Sequence, residues 1–204
     1  MPVPAPSGSS GSKTSSPVRR RRDSSIAIVF ETHSTTTDNE RWIASGWLDG
    51  QLSLAGRRQA NELRQRRGNE ELAAVFTSDL GRAVETAQLA FGGLGIPIFH
   101  DWRLRECDYG ELNGTPVARL EAQRSLHVYE PYPEGESYSQ VVFRVQSFLR
   151  DLSPRFEDER IVVVGHSATQ WALQHLLEGT PLPELVEGSF RWQPGWLYTL
   201  VVDS

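Results

Sequence analysis

The 204 residues hold a single cysteine, Cys107, so no intramolecular disulfide can staple this chain. No apolar stretch reaches membrane-spanning length, which excludes a helical membrane protein. A secretory leader would need an apolar core after the N-terminal arginines, and the run Ile26–Phe30 is too short for one. The five histidines, at 33, 100, 127, 166 and 175, show no ligand spacing of the His-x-x-x-His kind, and no metal site is expected. Internal repeats are absent as well. A soluble, cytoplasmic protein is the class left standing. Large apolar residues are scarce in residues 1–25, where only Met1, Val3 and Val18 occur, so that segment cannot offset its ordering entropy. It is expected to be a disordered basic tail, and its Ser7–Ser12 stretch resembles a flexible linker. Lys13 and Arg19–Arg22 against Asp23 make the tail about four units positive, and since the whole chain carries −5, residues 26–204 carry about −9. A domain that acidic is not expected to bind nucleic acid.

What is present reads as one α/β domain over residues 26–204. Strand-like runs rich in β-branched and apolar residues fall at 26–31, 73–77, 96–100, 161–165 and 196–202. Helical patterns lie between them. Ala60 and Leu63 give one side to 53–67, and Leu80, Val84, Ala87 and Phe91 give a face to the segment after Asp79, a predicted N-cap, with Gly92-Gly93 as its stop. Val141, Val145, Phe148 and Leu152 do the same for 137–152, where Ser137 and Gln140 have capping-box spacing. A further helix spans about 168–178. Alternating strands and helices predict a three-layer sandwich, a mostly parallel sheet with helices on both faces. Residues 107–136, rich in Tyr, Pro and Gly, are expected to form an irregular insertion over the cleft. Trp42, Trp47 and Trp102 could wall that cleft, while Trp171, Trp192 and Trp196 are expected to pack on the sheet.

Two histidines stand out by position. His33 follows Ile-Ala-Ile-Val-Phe-Glu-Thr, and His166 follows Ile-Val-Val-Val-Gly. Ligand crevices of open parallel sheets lie at the carboxyl ends of strands, so the two imidazoles can face each other although 133 residues separate them. Arg82 falls in the first turn of its predicted helix, where a cation opposes the helix dipole at a cost of about 0.3–1 kcal/mol. An anion bound at that helix start would reverse the sign, since backbone N–H groups and guanidinium would both point at it. The alternative is a surface arginine paired with Glu85. For Glu106, the alternative to a chemical role is a surface ion pair with Arg103 or Arg105.

In order, the segments are Thr32-His33-Ser34-Thr35 with Asn39, then Leu52-Ser53-Leu54-Ala55-Gly56-Arg57-Arg58-Gln59-Ala60, then Thr77-Ser78-Asp79-Leu80-Gly81-Arg82-Ala83. Leu104-Arg105-Glu106-Cys107-Asp108-Tyr109-Gly110-Glu111 and Val164-Gly165-His166-Ser167 complete the set. The set resembles the histidine phosphatase superfamily, the phosphoglycerate-mutase-like fold, over about residues 26–202. The resemblance implies that His33 takes the phosphoryl group as a phosphohistidine. It implies that His166 and Arg82 cradle the phosphate, with Asn39 and the hydroxyls of Ser34 and Ser167 as further donors. Glu106 would protonate the leaving oxygen and then help activate water. No cofactor is called for, because neutral imidazole is a competent nucleophile near pH 7 and phosphoryl transfer is mostly positioning and electrostatic stabilisation. The expected partner is a small phosphorylated substrate.

The sequence departs from the family pattern at one place. Arg-His-Gly is replaced by Thr32-His33-Ser34, and the Glu two residues after the histidine by Thr35. One charged hydrogen bond is worth about 1.5–3 kcal/mol, so an uncompensated loss of the arginine would slow turnover by about one to two orders of magnitude. Arg41, Arg103 or Arg105 could supply the cation instead. Arg105–Leu112 resembles the phosphatases' Arg-Glu-x-Asp-Phe-Gly-Glu-Trp, and Cys107 and Asp108 stand where the mutases carry basic residues. Hydrolysis is therefore expected, with an inactive phosphate-binding relative and a mutase-type phosphotransferase as the alternatives. A serine hydrolase is a more distant rival: Gly165-His166-Ser167-Ala168-Thr169 begins like a nucleophile elbow but ends in Thr169, and only His175 follows Ser167.

Overall fold

In chain order, β1 (Ser24–Thr32) leads through the one-turn α1 (Thr37–Glu40) and the two-residue β2 (Ile43–Ala44) to α2 (Leu54–Arg67). There follow β3 (Ala74–Thr77), α3 (Gly81–Phe91), β4 (Ile98–His100), β5 (Thr115–Pro116), α4 (Val117–Glu121) and α5 (Tyr138–Leu152). The chain closes with β6 (Arg160–Gly165), α6 (Ser167–Glu178), α7 (Leu182–Glu187) and β7 (Trp196–Val202). The computed structural model describes residues 24–202 apart from residue 153. Most of the expected tail lies outside the described residues. Ser24 and Ser25 belong instead to β1, where they pair with Val202 and Val201.

The period-two alternation of the central strands generates the layers. Ile26, Ile28, Phe30, Ile161 and Val163 pack toward α5 and α6, against Val141, Val145, Phe148, Trp171 and Leu173. Val29, Val75, Val162 and Val164 point the other way, onto Leu63, Ala83, Ala87 and Phe91 of α2 and α3. The result is the expected three-layer α/β sandwich. Strand order is β4-β3-β6-β1-β7, parallel throughout except for β7, which runs antiparallel to β1. Each fully buried aliphatic or Phe side chain here contributes about 1.5–3 kcal/mol, so a charge at Val163 would break the fold. Among the described residues no helix is long and apolar enough to cross a membrane.

Helix boundaries follow local chemistry closely at two places. Ser53 caps α2 by accepting from the Gly56 amide. Before α5, Ser137 N donates to Gln140 Oε1 and Gln140 N to Ser137 Oγ, the reciprocal box the spacing predicts. Two expectations need correction. Asp79 does not cap α3: Leu80 holds that position without a side-chain bond, because Arg105 draws the Asp79 carboxylate into a bidentate pair, both distances 2.6 Å. The buried stripe of α3 is also rotated from the expected one, to Arg82, Ala83, Thr86, Ala87, Ala90 and Phe91, because small alanines let this helix lie close on the sheet. Residues 107–136 form short turns together with β5 and α4, and Tyr109, Val117, Leu120 and Arg124 from this stretch do line the cleft.

Candidate active site

β1 and β6 are neighbours at the centre of the sheet, with Thr32 opposite Gly165, and His33 N donates to Gly165 O at 2.9 Å. Both strands therefore end at the same level, and the imidazoles that follow them lie 5.0 Å apart between ring centroids. His33 donates from Nδ1 to its neighbour's carbonyl, Ser34 O, at 2.8 Å. That bond fixes the tautomer and leaves the Nε2 lone pair facing Arg82, whose Nε lies 3.3 Å away. Burial, then the Arg82 charge, hold the His33 imidazolium pKa down at about 3, against a partial rise from the Ser34 carbonyl. The same two causes, in that order, push His166 well below its ordinary value.

Arg82 is 3 % exposed and lies between the histidines. Nη2 donates to Gly46 O at 2.7 Å and approaches His166 Nδ1 at 3.4 Å, while Nη1 donates to Leu48 O at 3.0 Å. All of these partners are neutral, and burial pulls the guanidinium pKa down from its ordinary value. Glu85, the surface partner considered for Arg82, pairs with Arg57 instead. Gly46 presents its carbonyl from a left-handed turn (φ +54), and a Cβ there would lie 1.7 Å from Asn113 Oδ1. α3 also fixes the loop beside the nucleophile, since Thr86 Oγ1 accepts from Ser34 N and donates to Arg82 O.

His166 is held from behind by Ser78 Oγ, 2.7 Å from Nε2. A hydroxyl can donate or accept, so this contact serves either tautomer and allows Nδ1 to donate toward an anion. Glu106 is buried, with its carboxylate at the start of α6: Oε2 accepts from Ser167 Oγ (2.8 Å), and Oε1 from Ala168 N (3.2 Å) and Cys107 N (2.8 Å). The positive end of the helix dipole favours an acidic group there. Arg144 fastens the loop, donating to Arg103 O and Glu106 O while Glu136 neutralises it. The ion pairs considered for Glu106 do not form. Arg105 is taken by Asp79, and Arg103 by Asp101 and Asp151.

Ser34 and Ser167 both line the cleft. Asn39 lines it too, with its carboxamide oxygen turned back to cap α1 through Thr36, which leaves the amide nitrogen as its remaining donor. The cleft has two arms that share His33, Asn39, Glu106, Ser167 and Phe190. One encloses about 560 Å³ beside Glu31, Thr32 and α2, the other about 190 Å³ beside Arg82, Tyr109, Tyr138 and Trp171. Arg124 borders the smaller arm with a buried Nε that has no hydrogen-bond partner. The tryptophan expectation is corrected in part. Trp42 and Trp102 are exposed away from the cleft walls, and Trp47 lies beneath Arg105 and donates to Glu106 O; Trp192 and Trp171 are the ones that line the arms. Ser167 cannot act as a hydrolase nucleophile served by His175, which bonds to Thr180 O beyond the far end of α6.

Sequence reasoning missed Ser78 as the support of His166, although it stands in the polar strand-end segment with Arg82. It also missed Phe190 and Trp192, which sit in a connection with no periodicity to mark them.

Fold and site together define an α/β protein with paired strand-end histidines around a buried guanidinium. The chain belongs to the histidine phosphatase superfamily (branch 1), whose description matches residues 28–203. It is 31 % identical over 161 residues to a protein named putative phosphoserine phosphatase 2 of Hydrogenobacter thermophilus, covering 75 % of this chain and 79 % of that one. A probable phosphoglycerate mutase of Enterobacter sp. is also 31 % identical, over 164 residues and 76 % of each chain. Among solved structures, YhfR of Bacillus stearothermophilus superposes with a TM-score of 0.76 at 30 % identity, covering 87 % of this chain and 92 % of that one. The family thus includes proteins named as phosphatases and as mutases.

Proposed function

We propose that this protein is a metal-independent phosphomonoester hydrolase that works through a phosphohistidine on a small phosphorylated metabolite. The observation that carries the reading is Arg82: a buried cation between two imidazoles, with no anionic partner among its hydrogen bonds. A phosphate dianion is the ligand such a group lacks. In the first step His33 Nε2 bonds to phosphorus as the bond to the ester oxygen breaks, and Glu106 gives that oxygen a proton, releasing the alcohol. In the second, water attacks the phosphohistidine, Glu106 takes its proton, and inorganic phosphate leaves as His33 is regenerated. Arg82, His166 Nδ1 and the Asn39 amide hold the equatorial oxygens. Hydrolysis is preferred to mutase chemistry because Asp108, in the segment after Glu106, bonds Gly110 N and Asn113 and offers no cation for a second phosphate.

The test is turnover of an aryl phosphate by the wild type and by His33→Ala, with EDTA throughout. Hydrolysis that the substitution abolishes is expected. Absent hydrolysis with retained vanadate binding would make the protein a non-catalytic relative. Hydrolysis that persists in His33→Ala would overturn the site assignment, and phosphoryl exchange between phosphoglycerates without net hydrolysis would favour the mutase reading.

A further inference from the structure

The larger arm of the cleft is walled by acids. Glu31, Glu62 and Glu106 line it, and Arg66 is the cation among its lining residues. A dianion entering beside His33 would meet Arg82 on one side and unfavourable charge on the other. The three arginines expected to compensate for Thr32 are committed elsewhere. Arg41 is 2.6 Å from Asp38, Arg103 is held by Asp101 and Asp151, and Arg105 is held by both oxygens of Asp79.

Arg66 is held differently. Its Nη2 reaches Glu31 Oε2 at 3.3 Å, a long contact for an ion pair, and its side chain is 33 % exposed. The other oxygen of Glu31 takes a 3.0 Å bond from Arg67 Nε, and Arg67 is the more buried of the two, at 16 %. Glu31, 3 % exposed, therefore keeps a cation if Arg66 lets go. The face of α2 carrying Gln59, Glu62, Leu63 and Arg66 runs alongside the chain around the nucleophile. Gln59 Oε1 accepts from Thr35 N at one end of this face, and Arg66 meets Glu31 at the other. Two helical turns, about 10.5 Å, separate those ends, and Thr32 and His33 fall between them. Gly56 permits this close approach, since a Cβ there would lie 1.9 Å from Thr35 O.

We propose that Arg66 completes the phosphate site: on substrate binding its guanidinium leaves Glu31 and donates to a phosphate oxygen from the α2 wall, replacing the charge that Thr32 does not supply from the opposite wall. The inference rests on the phosphatase reading above. Arg67 remains with Glu31, so the exchange uncovers no buried unpaired carboxylate.

The experiment measures kcat/KM for p-nitrophenyl phosphate and the inhibition constant for vanadate in four variants: Arg66→Met, Arg66→Lys, Arg67→Met, and Thr32→Arg combined with Arg66→Met. Loss of one charged contact predicts a fall of about 10- to 100-fold in Arg66→Met, with vanadate weakened in step. Arg66→Lys recovers part of the loss. Arg67→Met also loses activity, because Arg66 can then leave Glu31 only by exposing a buried unpaired carboxylate, and Thr32→Arg restores Arg66→Met by supplying the charge from the other wall. Arg66→Met within three-fold of wild type would overturn the proposal. So would a loss in Arg66→Met that neither Arg66→Lys nor Thr32→Arg recovers, which would show a structural role only. If the wild type proves inactive, calorimetric binding of inorganic phosphate to the same variants keeps the two readings apart. Weaker binding in Arg66→Met then upholds Arg66 while hydrolysis fails, and a wild type that binds neither phosphate nor vanadate overturns both.

Discussion

Replacing Arg82 by Met separates what this residue does for the fold from what it does for the ligand. In the folded protein its guanidinium satisfies the Gly46 and Leu48 carbonyls and contacts both imidazoles. The buried Gly46 carbonyl left without a donor costs about 1–3 kcal/mol and the part-buried Leu48 carbonyl, which water can reach, about 1 kcal/mol, so the two together cost about 2–4 kcal/mol. Removing a buried charge also removes its desolvation cost, which places the expected loss at the lower end, about 2–3 kcal/mol. For a chain of this length that lowers Tm by about 4–12 °C. The effect on the ligand is larger. Two charge-assisted bonds to phosphate at about 1.5–3 kcal/mol each give about 3–6 kcal/mol, or 10²- to 10⁴-fold in kcat/KM. Steady-state hydrolysis of p-nitrophenyl phosphate at a temperature well below the variant's Tm, with a thermal-shift titration of vanadate, reads both. Wild-type Tm rises with vanadate; that of Arg82→Met should scarcely move. A folded variant with kcat/KM within ten-fold of wild type, or an undiminished vanadate shift, would refute the assignment of Arg82 as the main phosphate contact.

Other outcomes are equally specific. The His33 pKa is about 3 when folded and near 6.5 when unfolded, so between those values the unfolded chain binds the proton that the native one excludes. The stability tied to neutral His33 is thus fully present above about pH 6.5 and is lost as pH falls toward 3. In His33→Gln, Tm should fall less between pH 7.5 and 5 than in the wild type; parallel curves by scanning calorimetry would contradict the burial argument. Glu106→Gln should lose about 10²–10⁴ in kcat on alkyl phosphates and far less on p-nitrophenyl phosphate, whose leaving group needs no proton, and equal losses on both would remove the acid role. Gly46→Ala combines a strained φ with a collision at Asn113, so a loss of about 1–3 kcal/mol in chemical denaturation is expected, together with weaker vanadate binding as the carbonyl shifts from Arg82.

How much of this could be read from the residues depended on whether the deciding contact was local. β1 and β6 were legible because both their faces are buried, which forces continuous β-branched runs, and the histidines were legible because they terminate those runs. The box before α5 was legible for the same reason, since Ser137 and Gln140 satisfy each other within one turn. The cap of α3 was not, because its competitor is Arg105, 26 residues further on. The stripe of α3 was misread where alanine gives no hydropathic contrast. The fate of each arginine was the least legible feature, because a guanidinium goes to whichever carboxylate the tertiary fold brings near: Asp79 for Arg105, and Glu31 for Arg66 and Arg67.

The pairing of Thr32 with Gly165 has a consequence for how this protein opens. The two histidines are joined through an inner strand pair, so fraying of the edge strands β4 or β7 leaves the imidazole pair in place, and fraying of α4 opens only one wall of the smaller arm. Only separation of β1 from β6 dismantles the imidazole pair, and that step is the global unfolding of the sheet. An anion bound there should therefore slow hydrogen exchange most at the central amides, which exchange through the rarest opening, and leave the periphery exchanging at its own pace. Occupancy of the site becomes a gauge of whether the centre of the sheet is intact.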